Sequence, residues 1–431
     1  MSEELIKFED IKAINYWEES PKSQGLWRAS YLDEIQGFIG TRLLKVLVGQ
    51  RRSGKSSILK QTITSLLAQS VNPKNILYLN FELHTLHFIR SHEVLADVVT
   101  MYLQKNKPEG RIYLFFDEIQ EVEEWELLIN SYLANDKMDV EIFLTGSNAH
   151  LLSTELSTYV TGRYIEIPIF PFSFKEFNQY FQYTGTKENL IEYLQTSSLP
   201  ELFSLPEERQ KIAYLMALQD SILMNDIVKR YQVKNPNLLA LLLDFMIDNV
   251  GHLFSLNAIV NKIKSMGIHL NAITLGNYIT YLERTFLVHP VQRYDIKGKR
   301  ILEGERKYYL NDLGFSNYLK SSFDNGINRK LENYVYQTLA QFKFKIYVGY
   351  IHHLEIDFVA QMNQRIIYIQ VAYLLHSQEV IDREYGNLEK IKDNWPKMVV
   401  TLDEVSFPEK NGIQHVPAWK LEDYLSAFLI S

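Results

Sequence analysis

The sequence predicts an α/β protein: a parallel sheet flanked by helices, then a helical segment, then a second and smaller α/β region. Three observations carry that prediction. A Gly-containing loop lies between an apolar strand-like run and a helix, two further apolar runs end in small or acidic residues, and a breaker cluster in mid-chain introduces patterns of another kind.

The loop comes first in the chain. Leu43 to Val48 is the strand-like run and Ser57 to Leu67 the helical continuation; between them stand Gly49, Gln50, Arg51, Arg52, Ser53, Gly54, Lys55 and Ser56, in the spacing G-x-x-x-x-G-K-S. Two glycines let the backbone curl until successive N–H groups converge on a triphosphate. Lys55 then reaches the β- and γ-phosphates, Ser56 ligates Mg2+, and the helix start, with Ser57, adds its partial positive charge. ATP and Mg2+ are the ligands this pattern predicts.

Further strands follow at Asn75 to Phe81 and at Ile112 to Phe116, the second of which ends in Asp117-Glu118. A continuous apolar run suits a strand buried on both faces of a parallel sheet. Asp117 is placed to hold the Mg2+ shell, and Glu118 to polarise a water for attack on the γ-phosphate. The alternative is that both acids only cap the helix that follows. An acidic pair after the third strand marks the ATPase branch with an added central strand. The fourth run, Val140 to Leu144, ends in Thr145-Gly146-Ser147-Asn148, so Ser147 or Asn148 faces the crevice as γ-phosphate sensor or water-orienting group, unless the segment is an ordinary turn. Asn80, ending the second strand, is a candidate to hold Glu118 inactive or a simple strand-end cap. Arg163, after Gly162, opens the fifth strand, Tyr164 to Ile169. It is either an arginine finger reaching a neighbouring subunit's nucleotide or a local partner of Glu166.

These motifs carry a resemblance. GQRRSGKSS, the FFDEIQ strand end, LTGSN with Leu151-Leu152-Ser153, the Thr161-Gly162-Arg163 step and the passage from Ile169 to Phe177 resemble the prokaryotic AAA-type ATPases. More closely, the chain resembles the group whose C-terminal half is a domain of unknown function with a nuclease-like fold. The resemblance runs over nearly the whole chain and implies an AAA-type P-loop NTPase core with a helical lid.

Composition bounds the remainder. At 431 residues, two or three domains are expected. An apolar share of 46% and a charged share of 23% suit a globular protein. No apolar run approaches a bilayer span, so no membrane partner is expected, and the N-terminus lacks a signal-peptide pattern. Without cysteine there is neither disulfide nor thiolate chemistry, and an ATP site places the expected protein in the cytoplasm. The net charge of −7 requires any DNA contact to come from local patches.

The expected domains are an ATPase core over 1–172, a helical lid over 173–233, a winged helix over 234–320 and a restriction-endonuclease-like domain over 321–431. Lys234-Asn235-Pro236-Asn237 is the breaker. After it come helices at Leu238 to Asn249, Ser255 to Met266 and Asn271 to Thr285. Strands at Leu287 to Ile296 and Arg306 to Leu310 then flank a turn at Lys297-Gly298-Lys299-Arg300. Three helices and a basic two-stranded wing spell a winged helix. Its DNA-contact candidates are Asn271, Thr274, Asn277 and Tyr278 on the third helix and Lys297, Lys299 and Arg300 at the wing tip; the alternative is a module for protein contacts only. In the last domain, Glu332 on a helix and Asp357 on a strand match the metal-binding acids of restriction-endonuclease-like folds. Gln370 replaces the second-strand carboxylate and Ala372 the lysine, so this domain is expected to be inactive.

The chain therefore reads as a Mg2+-dependent ATPase that couples hydrolysis to remodelling of duplex or branched DNA, with branch migration or helicase-type movement as concrete forms. It is expected to act as a homo-oligomer, for example a hexameric ring. Two alternatives come from other classes: a nucleotide-dependent signalling or defence switch acting through protein partners, and an ATP-dependent nuclease.

Overall fold

The structure is a computed structural model that describes residues 8–18, 25–147, 160, 162–265, 271–319, 326–405 and 407–430. It divides into two compact units, residues 1–170 and 171–431.

The first unit is built on five short strands: β1 (Leu44–Val48), β2 (Ile76–Asn80), β3 (Ile112–Asp117), β4 (Val140–Gly146) and β5 (Tyr164–Pro168). β1, β3 and β4 are buried along their whole length, which explains their mostly apolar runs, and the two charges within them, Lys45 of β1 and Glu141 of β4, pair with each other. All pairings are parallel and the order is β2-β3-β4-β1-β5. β4 thus lies between the loop-bearing β1 and the acidic-ended β3, the added central strand expected from the sequence. Helix Lys55–Ala68 packs Ile58, Leu59, Ile63 and Leu66 against Leu47, Phe115, Phe143 and Ile167. Phe115 and Phe143 stack across neighbouring strands at 4.4 Å. In parallel strands the carboxyl ends share one edge, so the segments after β1, β3 and β4 are brought side by side.

The second unit opens with helices Phe174–Phe181, Lys187–Gln195 and Glu208–Ser221, the last continuing as a π-helical stretch, Ile222–Lys229. Capping boxes start the first two at Ser173 and Thr186. Phe177 packs edge-on to Tyr193 at 5.3 Å, and Tyr193 likewise to Tyr334 at 6.0 Å. Asp312 is fully buried and accepts hydrogen bonds from the Ser197 and Ser198 hydroxyls and from the backbone of Ser198 and Gly314, which fixes the turn between the helical segment and the sheet.

Three helices follow, Pro236–Asp248, Leu256–Ser265 and Ala272–Arg284, and then the hairpin β6 (Val288–Asp295) and β7 (Arg300–Leu310). Helix Ile327–Gln341 precedes β8 (Lys345–Ile351), β9 (Leu354–Met362) and β10 (Arg365–Val371). β11 (Lys397–Thr401) and β12 (Ile413–Pro417) complete a seven-stranded sheet in the order β12-β11-β10-β9-β8-β6-β7. The hairpin expected as a free wing is therefore the edge of this sheet, with β6 parallel to β8 at Arg293 to Asp295. Strands on both sides of residue 320 belong to one sheet. No helix among the described residues is long and apolar enough to cross a membrane.

Candidate active site

β1 runs directly into the loop. Gly49 has φ 153°, and a Cβ there would lie 2.2 Å from the Ile169 carbonyl oxygen, so only glycine lets the loop leave the sheet beside β5. Gly54, at φ 101°, turns the chain into helix Lys55–Ala68. Arg28 braces this loop from outside the motif: its guanidinium donates to the Ser53 and Phe170 carbonyls at 3.0 Å. Within the loop Gln50 and Ser53 are buried, Arg52 and Ser57 are exposed, and Arg51 pairs with Glu82 at 2.7 Å. Lys55 is 3% exposed; its ammonium donates to the Gly49 and Gln50 carbonyls at 3.1 and 3.2 Å. The glycine cradle, the buried ammonium and the helix start fit a triphosphate.

The acids stand opposite. Asp117 ends β3 fully buried and accepts from Ser56 Oγ (3.0 Å), Thr145 Oγ1 (2.6 Å), Tyr78 OH (2.9 Å) and Asn80 Nδ2 (3.3 Å). A serine hydroxyl bonded to a carboxylate is the donor set a Mg2+ ion takes, so Ser56 and Asp117 fit that role. Glu118 lies 3.6 Å from the Lys55 ammonium and has φ 57°, a left-handed conformation that non-glycine residues adopt at some cost. Its N–H donates to Thr145 Oγ1 at 2.8 Å, which holds the chain in that turn.

The two carboxyls are pushed in opposite directions. Burial and then the adjacent Glu118 charge raise Asp117 above the usual range. Burial would also raise Glu118, but the Lys55 ammonium and the Arg51 guanidinium outweigh it and keep Glu118 below its ordinary value. Glu118 is thus kept as an anion able to accept a proton.

Not every expected neighbour is there. Asn80 bonds Asp117 and the Glu82 N–H, not Glu118; the side chains hydrogen-bonded to Glu118 are Gln120, which donates from Nε2 to Oε2, and Ser147. Ser147 is buried at the end of β4, where Gln120 Nε2 reaches its hydroxyl at 3.4 Å. Asn148 lies outside the described residues. Arg163 is exposed, and its carbonyl accepts from Leu44 N–H. With Leu44 opposite Tyr164, Arg163 sits at the amino edge of the sheet, one strand length, roughly 15 Å, from the loop that leaves β1 at its carboxyl end. The Arg163 backbone therefore lies at the opposite edge of the sheet from this chain's own phosphate loop. Among the described residues Arg163 pairs with no carboxylate, Glu166 included.

Comparison with known proteins agrees with this geometry. Residues 41–178 match the family described as an AAA domain. The chain belongs to the AAA-type P-loop ATPases. Residues 187–328 of this AAA protein match a domain of unknown function, DUF8612. An uncharacterized protein of Haemophilus influenzae is 34% identical over 404 residues, 92% of this chain and 98% of its own. An uncharacterized protein of Methanocaldococcus jannaschii is 28% identical, over 88% and 87%. Among solved structures, the Aeropyrum pernix ORC1 protein in complex with DNA is similar over 70% of this chain and 94% of its own, with 13% identity and a TM-score of 0.31. The Thermotoga maritima RuvB Holliday junction branch migration motor is similar over 62% and 91%, with 14% identity and a TM-score of 0.31.

The C-terminal half of the AAA protein holds a second polar cluster. Glu332 and Asp357 do come together, but around Lys307 of β7. Its ammonium lies 2.8 Å from Glu332, 2.7 Å from Glu355 and 3.9 Å from Asp357. Tyr309 donates to Glu332 at 2.7 Å, and Asp357 accepts from Val371 N–H. Gln370 makes no hydrogen bond or ion pair with this cluster among the described residues. Its strand neighbours Tyr368 and Ala372 face the other core, around Tyr385 and Leu388. The positions where a nuclease would carry its carboxylate and lysine thus turn away from the acids.

Of the helix candidates for DNA, Tyr278 is corrected: it is buried, on the Leu275, Ile279 and Leu282 face that packs into the core. The Asn271 side chain is occupied as N-cap, accepting from Ile273 and Thr274 N–H. Thr274 is half-buried and Asn277 exposed. Lys297, Lys299 and Arg300 are exposed at the β6–β7 turn, with Asp295 3.9 Å from Arg300.

Proposed function

We propose that this AAA protein binds ATP with Mg2+ through residues 49–57 and hydrolyses it, and that a homo-oligomer couples the hydrolysis to binding and remodelling of DNA. The observation that carries the proposal is the convergence of Lys55, Ser56, Asp117 and Glu118 on one crevice at the carboxyl edge of the sheet. Glu118 takes a proton from a water, whose oxygen attacks the γ-phosphorus as the bond to the ADP oxygen breaks. The Lys55 ammonium is set against the growing charge on the phosphate oxygens. Mg2+, held through Ser56 and Asp117, supplies further neutralisation of the phosphates when bound. Arg163, at the edge of the sheet opposite its own phosphate loop, acts as the finger that meets a neighbour's nucleotide in a ring.

The DNA part of the proposal is supported by the basic tip at Lys297, Lys299 and Arg300, in a chain whose net charge is −7. The turn of the buried Gln370 and Ala372 positions toward the other core, away from Glu332 and Asp357, supports an inert C-terminal domain. ATP turnover measured with single-stranded, duplex and four-way-junction DNA tests the reading. Stimulation by one form without nicking is expected. Indifference to all DNA would move the function to a nucleotide-dependent switch, and plasmid nicking would move it to a nuclease.

A further inference from the structure

Both oxygens of the Glu118 carboxylate are held. Oε1 faces the Lys55 ammonium at 3.6 Å, and Oε2 accepts from Gln120 Nε2. These two contacts have different fates in a loaded site. Lys55 is the cation that the β- and γ-phosphates recruit, so its hold on Glu118 is shared as soon as a triphosphate enters. Gln120 is uncharged and has no such competitor.

The backbone keeps Gln120 where it is. Residues Ile119–Glu121 form a tight 3-10 turn closed by Glu121 N–H on the Glu118 carbonyl at 3.2 Å, and Ile119 anchors it, 1% exposed. The start of the turn is pinned because Thr145 Oγ1 accepts from Glu118 N–H and donates to Asp117. The same amide that holds Glu118 lies 3.4 Å from Ser147 Oγ at the end of β4, the strand next to the loop-bearing β1. Asn80, the sequence's candidate to hold Glu118 inactive, is occupied with Asp117 and Glu82.

We propose that Gln120 is the positioning residue of this site: it fixes the orientation of Glu118 toward the attacking water and ties that orientation, through Ser147, to the strand that lines the nucleotide crevice. The proposal rests on the ATPase reading above. Gln120 acts through Glu118 and touches no reacting atom. Its removal should therefore cost turnover and leave nucleotide binding alone.

The experiment is a double-mutant cycle on the full chain, with kcat and KM for ATP measured for wild type, Gln120→Ala, Glu118→Gln and the double variant. Gln120→Ala should lower kcat by roughly 10- to 100-fold, the worth of one hydrogen bond to a charged group, with KM within about twofold. In the Glu118→Gln background the same change should have no further effect, because the base it orients is already gone. Gln120→Glu keeps the shape but replaces the donor by a like charge, and should be no faster than Gln120→Ala. Equal losses in both backgrounds, or a loss confined to KM, would overturn the assignment and make Gln120 a structural residue. Wild-type turnover that disappears in Lys55→Ala secures the ATPase reading by itself. A wild-type chain that binds ATP without turning it over overturns that reading and the Gln120 role together.

Discussion

Lys307→Met removes the charge at the centre of the C-terminal cluster and keeps most of the side chain's bulk. The side chains of Glu332 and Asp357 are 14% and 12% exposed and that of Lys307 5%, so the variant leaves two largely buried carboxylates without their cation. Glu355, 37% exposed, is well solvated and adds little. Breaking a buried pair by removing one partner costs about 3–5 kcal/mol, and the solvation at the cluster mouth favours the lower end, about 3 kcal/mol. At roughly 2 °C per kcal/mol for a unit of this size, Tm should fall by about 6 °C. The sign of the pH dependence follows from two raised groups. Lys307 is lowered by burial, but Glu332, Asp357 and Glu355 outweigh that and raise it, so its contribution is fully present below the ordinary lysine range and constant between pH 5.5 and 8. Asp357 is raised by burial and then by Glu332, with Lys307 opposing; a raised carboxyl loses stability as pH climbs through its folded value. Without Lys307 that rise is larger, so the variant should lose more at pH 8 than at pH 5.5. Thermal unfolding followed by circular dichroism at both pH values is the assay. Unchanged stability at pH 8, or a loss that does not depend on pH, would refute the reasoning.

Neutralising Lys297, Lys299 and Arg300 together should weaken DNA binding for every sequence and flatten its salt dependence by up to about three units of slope, while basal ATP turnover persists; filter binding across salt concentrations checks this. Mixing Arg163→Ala with Glu118→Gln chains should restore part of the turnover at interfaces that combine an intact arginine with an intact base. Absence of rescue in confirmed mixed oligomers would count against a role between subunits.

What was legible in the sequence is what is local. The G-x-x-x-x-G-K-S spacing, the apolar strands and the Asp117-Glu118 step each fit within a few residues, and parallel pairing then brings their ends together. The burial of Tyr278 has a sequence signal, because Leu275, Tyr278, Ile279 and Leu282 repeat at the helical period of a buried face. β7 begins six residues earlier than expected because its first half, Arg300 to Glu305, is exposed apart from the half-buried Leu302 and carries no alternation. Lys307 could not be recognised from pattern, since its carboxylates lie 25, 48 and 50 residues further along and meet it only through folding. Nor could the union of hairpin and C-terminal sheet, which depends on the β6–β8 pairing across two intervening helices. Gln120 was hidden for a different reason: a glutamine two residues after Glu118 has no distinctive spacing, and only the left-handed turn at Glu118 folds it back.

The central claim is that this crevice hydrolyses ATP with Glu118 as base. Its most direct test is a pair of measurements on Glu118→Gln, ATP affinity by equilibrium binding and turnover by phosphate release. The substitution keeps the carboxylate's shape beside Lys55 and Gln120 but removes its capacity to take a proton. Affinity should stay within a few-fold of wild type while turnover falls by roughly 10²-fold or more. Retained turnover, or equal losses of affinity and rate, would contradict the account.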